Sequence, residues 1–257
     1  MTSSLRERLR RPPSQSSVPG SLPVLFFGDL FTARVATVGL NPSHQEYLDR
    51  SGNELSGELR RFETLHSLRA ADRASLSAEQ SDRAIATMRT YFQPGKPVYS
   101  WFRSLDRVAR GFGVRYDVGE VAHLDLVQEA TQPTWSGLSP SELAQLRAAD
   151  EPFLRWQLET FPLEAVLCNG RSVFAGVQSL TNARIVQSGT LARATWYVAL
   201  SDMPGRVMGV VGWNIPLARP TGLDKDGHTV LGRLLAERLR DAIGRIAQID
   251  HPSRLLS

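Results

Sequence analysis

The stretch RVATVGLNPSHQEY, residues 34–47, decides how this chain is read. Val35, Ala36, Thr37 and Val38 form a short apolar, β-rich run that stops at Gly39 and passes through Leu40 straight into Asn41, Pro42, Ser43 and His44. That pattern is a strand ending in a polar turn. In open α/β sheets ligands bind beyond the carboxyl ends of the strands, so an amide, a hydroxyl and an imidazole at such a turn form a candidate reaction centre. Gly39 allows another group to approach the backbone closely, and Pro42 stiffens the turn. An ordinary strand-to-loop exit is the alternative reading of the same residues.

Working outward, the strand, turn and helix alternation recurs. Residues 121–127 (VAHLDLV) read as a buried strand that carries His123 and Asp125 on one face, because strand side chains alternate with a period of two. Such a polar pair is costly to bury without partners, so it is either a hydrogen-bonded structural pair or part of a site. Residues 165–169 (AVLCN) form a further strand that runs through Asn169 and Gly170 into a short helix. Residues 206–213 form the last strand and end in a proline-stiffened loop containing Asn214, Leu217 and Arg219. Two short strands are expected at 183–188 and 196–200, with a short strand or edge segment at 25–27. Helical patterns occupy 58–92, 100–112, a segment from 139 that Pro152 should interrupt, and 227–247. The predicted architecture is α/β: a three-layer α/β/α sandwich with a mainly parallel central sheet of about four strands plus short added strands. Residues 1–20, rich in Ser, Pro and Arg, read as a disordered basic arm. Residues 21–248 form one domain, and 249–257 a C-terminal tail.

Composition narrows the function classes. The 257 residues are 42% hydrophobic, enough for a real core, yet contain no apolar run approaching the roughly 18 residues of a membrane span. A cytosolic protein that neither spans nor anchors to a membrane is expected, and a monomer. The single cysteine, Cys168, rules out an internal disulfide and leaves no cysteine set for zinc or an iron–sulfur cluster, so neither metal nor other cofactor is expected. The net charge is +4, carried almost wholly by arginine, with Lys96 and Lys225 the only lysines. Arginine binds phosphate bidentately, which permits a nucleic-acid partner, although a GC-rich genome produces the same bias. No GxGxxG, P-loop, HExxH or GxSxG pattern is present.

Taken together, Gly39-Leu40-Asn41-Pro42-Ser43-His44, the strand bearing His123 and Asp125, the strand ending in Cys168-Asn169-Gly170 and the loop beginning at Asn214 resemble the uracil-DNA glycosylase superfamily. The first motif resembles the GINPG turn of the mismatch-specific uracil and thymine branch, with Asn41 at the place of the catalytic asparagine. His44 matches the histidine that ends the GQDPYH motif of the main branch. The second family motif, HPS or NPS followed by a leucine that wedges into DNA, is replaced here by Asn214-Ile215-Pro216-Leu217. A literal His251-Pro252-Ser253 near the C-terminus has no strand before it and reads as tail.

The resemblance implies a DNA partner and hydrolysis of the N-glycosidic bond of a deaminated, mismatched or modified pyrimidine, including modified pyrimidines of phage DNA, to leave an abasic site. Asn41 would orient water, and His44 and Asp125 would handle protons. Gly39, Leu40, Pro42 and Ser43 would shape the turn, Tyr47 would be an aromatic wall or simple packing, and His123 with Asp125 would read the base edge. Asn169 and Asn214 would bind base or phosphate, Leu217 would occupy the wedge position, and Arg219 would contact phosphate. Two rivals remain: a catalytically silent nucleic-acid or nucleotide-binding protein on the same fold, and a hydrolase of free nucleosides.

Overall fold

A computed structural model describes residues 1–217 and 222–249 of the chain. In chain order the elements are α1 (Thr2–Arg10), β1 (Val35–Gly39), α2 (Leu65–Leu68), α3 (Ala78–Arg89), α4 (Phe102–Phe112), β2 (Val121–Asp125), α5 (Pro140–Thr160), β3 (Ala165–Asn169), α6 (Arg171–Thr181), β4 (Arg184–Leu191), β5 (Ala194–Met203), β6 (Arg206–Trp213) and α7 (Lys225–Ile249). They build an α/β protein around a six-stranded mixed sheet of order β2-β1-β3-β6-β5-β4. The first four strands in that order run parallel, and β5 and β4 extend them as an antiparallel hairpin.

Sequence chemistry accounts for this arrangement. β1, β2 and β3 are buried along their whole length, as parallel strands covered on both faces must be. The β5–β6 connection is Pro204-Gly205 with Gly205 at φ 75°, a proline-glycine pair suited to a tight turn between antiparallel strands. The two faces of β6 are covered from opposite sides: a Cβ on Gly209 would meet Leu239 of α7, whereas one on Gly212 would meet Phe174 of α6. The helices therefore flank the sheet as the three-layer pattern requires. Among the described residues no helix is long and apolar enough to cross a membrane.

Several expectations are corrected. Residues 1–20 are not a disordered arm: α1 buries Leu5 and Leu9 completely, and Arg8 is 2% exposed with its guanidinium 2.6 Å from Asp150. Residues 16–24 then run beside the chain that leaves β2, with hydrogen bonds from Val18 N to Ala130 O, Val24 N to Gln128 O and Gln132 N to Ser16 O. The segment at 25–27 is not a strand but pairs with β2 through the single Phe27–His123 bridge. The helical region expected over 58–92 breaks up because Arg69 takes a left-handed conformation after α2, and a Ser77–Gln80 capping box starts α3 afresh. Pro152 does not interrupt α5, whose flanking Asp150, Phe153, Leu154 and Gln157 are all buried, so tertiary packing outweighs the missing N–H. The two strands expected to be short span 184–191 and 194–203. The expected tail lies outside the described residues, apart from its first position.

Candidate active site

Parallel register places the site. In the β1–β2 pair Thr37 stands opposite His123 and Gly39 opposite Asp125, so the polar pair of β2 leans across the end of β1. Gly39 makes this possible: a Cβ there would lie 2.4 Å from Asp125 Oδ1 and 3.2 Å from the His123 ring. β3, on the other side of β1, brings Asn169 to the same edge. A cavity of about 300 Å³ opens beyond these ends, lined by Gly39, Leu40, Asn41, Pro42, Ser43, His44, Glu46, His123, Asp125 and Asn169. Its walls are aromatic: Phe27, Tyr99, Trp101, Phe102 and Trp135.

Asn41 sits in the mouth of this cavity with its amide orientation set. Nδ2 lies 3.1 Å from Pro42 O, 3.2 Å from Glu129 O and 3.2 Å from Thr131 Oγ1. Donation from the amide nitrogen is used up, and among the described residues no donor reaches Oδ1, which remains an acceptor for a ligand or solvent. The carbonyl holding Asn41 belongs to Glu129, whose carboxylate is gripped by Arg73 at 2.7 and 2.8 Å and by Ser17 at 2.8 Å. Burial pushes the Glu129 carboxyl up, but hydrogen bonding and charge from Arg73, with Arg8 beyond, hold it below its ordinary value. The turn thus rests on a buried ionic base. Next to Asn41 in the cavity wall, the half-buried His44 ring has no hydrogen-bond partner among the described residues.

His123 is oriented from behind. Its Nδ1 is 2.7 Å from Thr37 Oγ1, which is in turn 2.5 Å from the Tyr116 hydroxyl. Burial pushes the Tyr116 phenol far up, so that hydroxyl stays protonated, and the Tyr116–Thr37–His123 chain of hydrogen bonds fixes the ring's orientation. Nε2 is 3.4 Å from Asp125 Oδ1, within ion-pair reach but outside hydrogen-bond geometry. Asp125 is 3% exposed, and among the described residues neither of its oxygens has a hydrogen-bond partner.

A second carboxyl faces the same space. Glu46, in the 3-10 turn His44–Glu46, is 2% exposed and receives the Tyr91 hydroxyl, 3.0 and 2.9 Å from its two oxygens. Burial, opposed by Arg61 and by the Tyr91 hydrogen bond and reinforced by the charge of Asp125, pushes its carboxyl up to about 8.

The structure therefore brings together Asn41, His44, His123, Asp125 and Asn169 with Gly39, Leu40, Pro42 and Ser43. It does not bring the rest. Tyr47 is 2% exposed, donates its hydroxyl to Leu22 O and packs on Phe62 in the core, so it is no wall of this cavity. Asn214 accepts from Thr195 N through Oδ1 and ties β5 to the end of β6 away from the cavity lining. Leu217 does not project as a wedge: it is 7% exposed and its N–H is drawn in by Asn169 Oδ1. Arg219 lies outside the described residues. Thr37, Glu46, Tyr99, Trp101 and Trp135 went unread as site residues, although a threonine two positions before Gly39 in an apolar strand was a visible signal. Among the described residues no group of three or more His, Cys, Asp and Glu side chains is arranged to hold a metal ion. No protein-family model matches the chain, and a search of curated proteins finds no match.

Proposed function

We propose that this chain is a DNA glycosylase that hydrolyses the bond between a flipped-out base and its deoxyribose. The observation that carries the reading is Asn41: an amide with its nitrogen fully engaged and its oxygen free, at the mouth of an aromatic-walled cavity on the carboxyl edge of a parallel sheet. Glycosidic cleavage passes through a sugar cation-like state, and a water positioned on one face can capture that cation late, without a strong base. Asn41 Oδ1 would hold that water, and the unpartnered His44 imidazole beside it would take the proton released as the C–O bond forms. The departing base gains electron density, which the His123 ring and the Asn169 amide would stabilise. Flipping a base into this space requires walls that accept a ring face, and Trp101, Tyr99 and Trp135 supply them. DNA as partner rests on this reading and on the arginine-rich composition.

The test is direct. Duplexes carrying single uracil, mismatched thymine or modified cytosine residues are incubated with the protein and then treated with alkali, which breaks the strand at abasic sites. The wild-type chain should generate breaks, and Asn41→Ala should reduce the rate by about 10²-fold or more while binding duplex as well as the parent. If the parent releases no base from any duplex yet both proteins bind DNA equally, the chain is a binding module.

A further inference from the structure

Nothing so far says which base the cavity accepts, and the distribution of hydrogen-bonding atoms around it bears on that. Asp125 presents two buried oxygens without hydrogen-bond partners among the described residues, and a carboxylate can only accept hydrogen bonds while ionised. An acceptor left unsatisfied in the interior is costly, so a ligand that fits here must bring N–H groups to it. Among the described residues no lysine or arginine lines the cavity to neutralise the charge, and the Arg61 guanidinium stands 3.9 Å from Glu46, not beside Asp125. The Asn169 amide nitrogen is free to donate because its oxygen already accepts from Trp213 Nε1 at 3.1 Å and Leu217 N at 3.0 Å.

We propose that the cavity selects a nucleobase carrying an exocyclic amino group, held through that amino group by the Asp125 carboxylate, over the dioxo edge of uracil or thymine. The proposal rests on reading the cavity as a base pocket. An amino group offers an N–H donor to an empty Asp125 acceptor where the oxo base presents a carbonyl oxygen. The Watson–Crick edge of uracil offers one N–H flanked by two carbonyl oxygens, which would meet carboxylate lone pairs. Asn169 then suits the ring carbonyl that cytosine keeps. Among pyrimidines, the preferred substrate is therefore of the cytosine class.

The experiment uses the full chain and free bases, so that selectivity is read without catalysis. Cytosine and uracil, and 5-methylcytosine and thymine, differ in amino against oxo at C4 and in the proton that the oxo form carries on N3. Titrating each into the protein by isothermal calorimetry should show the amino member of each pair binding roughly tenfold or more tightly. Asp125→Asn, nearly the same shape but able to donate as well as accept, should erase or reverse that preference. A thermal melt shows whether this variant folds, and where it does not, the wild-type pairs alone decide. Equal affinities, tighter uracil, or no binding of any of the four bases overturns the proposal. The base-release assay separates this from the reading beneath it: release of uracil or thymine alone refutes amino selection and leaves glycosidic cleavage standing. Amino-selective binding with no release from any duplex does the reverse.

Discussion

Burial of a carboxyl beside a single guanidinium 3.9 Å away makes ionisation unfavourable, which is why Glu46 is pushed up to about 8 from an ordinary value of 4.5. Between those two values the folded chain binds a proton that the unfolded chain has lost, so stability contributed by this group is present below pH 4.5 and drains away as the pH rises to 8 and beyond. Glu46→Gln, neutral at every pH, should remove that slope. Urea unfolding at pH 5, 7 and 9 should show a variant that gains on the wild type as the pH rises; a difference that does not change with pH refutes the assignment. The same residue shows where reading the sequence stops. Asn41, His44 and Asn169 were legible because each closes or follows an apolar run, and His123 and Asp125 because they interrupt one, where a polar side chain needs a reason. Glu46 and Tyr47 are neighbours in a polar stretch, and only the 3-10 turn decides that the glutamate lines the cavity while the tyrosine enters the core. The aromatic walls were missed for a related reason: helical spacing marks Trp101 as apolar-facing but cannot tell a core from a cavity.

Elements carry the next level of support, and α1 is the instructive one. Its composition is that of a solvated arm, yet Leu5, Arg8 and Leu9 share a face, and all three are buried. A periodicity of only two leucines is a weak signal against four arginines nearby, and what fixes α1 is a partner 142 residues away. Arg8 lies 2.6 Å from Asp150 of α5 and 3.6 Å from Glu129, the residue whose carbonyl holds Asn41. Even with Arg8 in place, burial keeps the Asp150 carboxyl above its ordinary value. Arg8→Ala leaves that acid buried without its cation, and loss of one partner of a buried pair costs about 3–5 kcal/mol. Asp150 would then bind a proton more tightly in the folded state, so the deficit should be largest near pH 8 and shrink on acidification to pH 5. Chemical denaturation at both values checks this. A uniform deficit, or none, would mean that α1 contributes through its leucines alone.

At the scale of the whole molecule, the parallel strands were legible as apolar runs separated by helices, whereas the order β2-β1-β3-β6-β5-β4 is set by tertiary packing that no local pattern displays. Packing of one helix against another was not legible, because it depends on the absence of side chains. α4 and α7 meet through a reciprocal pair of glycines. A Cβ on Gly232 would come within 2.1 Å of Val108 O, and one on Gly111 within 2.1 Å of Thr229 O. These are backbone atoms that cannot rotate aside, so the helices must separate to admit a methyl group. Phe102, the first residue of α4, and Trp101 just before it form part of the cavity wall, which ties this distant contact to the site. Gly232→Ala should therefore cost about 2 kcal/mol or more in stability and also weaken base binding by displacing the wall. Gly244, on the same helix α7, meets nothing within 4 Å, and Gly244→Ala should stabilise by roughly 0.5–1 kcal/mol through helix propensity alone, with base affinity unchanged. Thermal melts and base titrations of the two variants side by side distinguish the cases. Loss of stability in Gly232→Ala with undiminished base affinity would show that α4 yields at its far end while its cavity end stays fixed against the sheet.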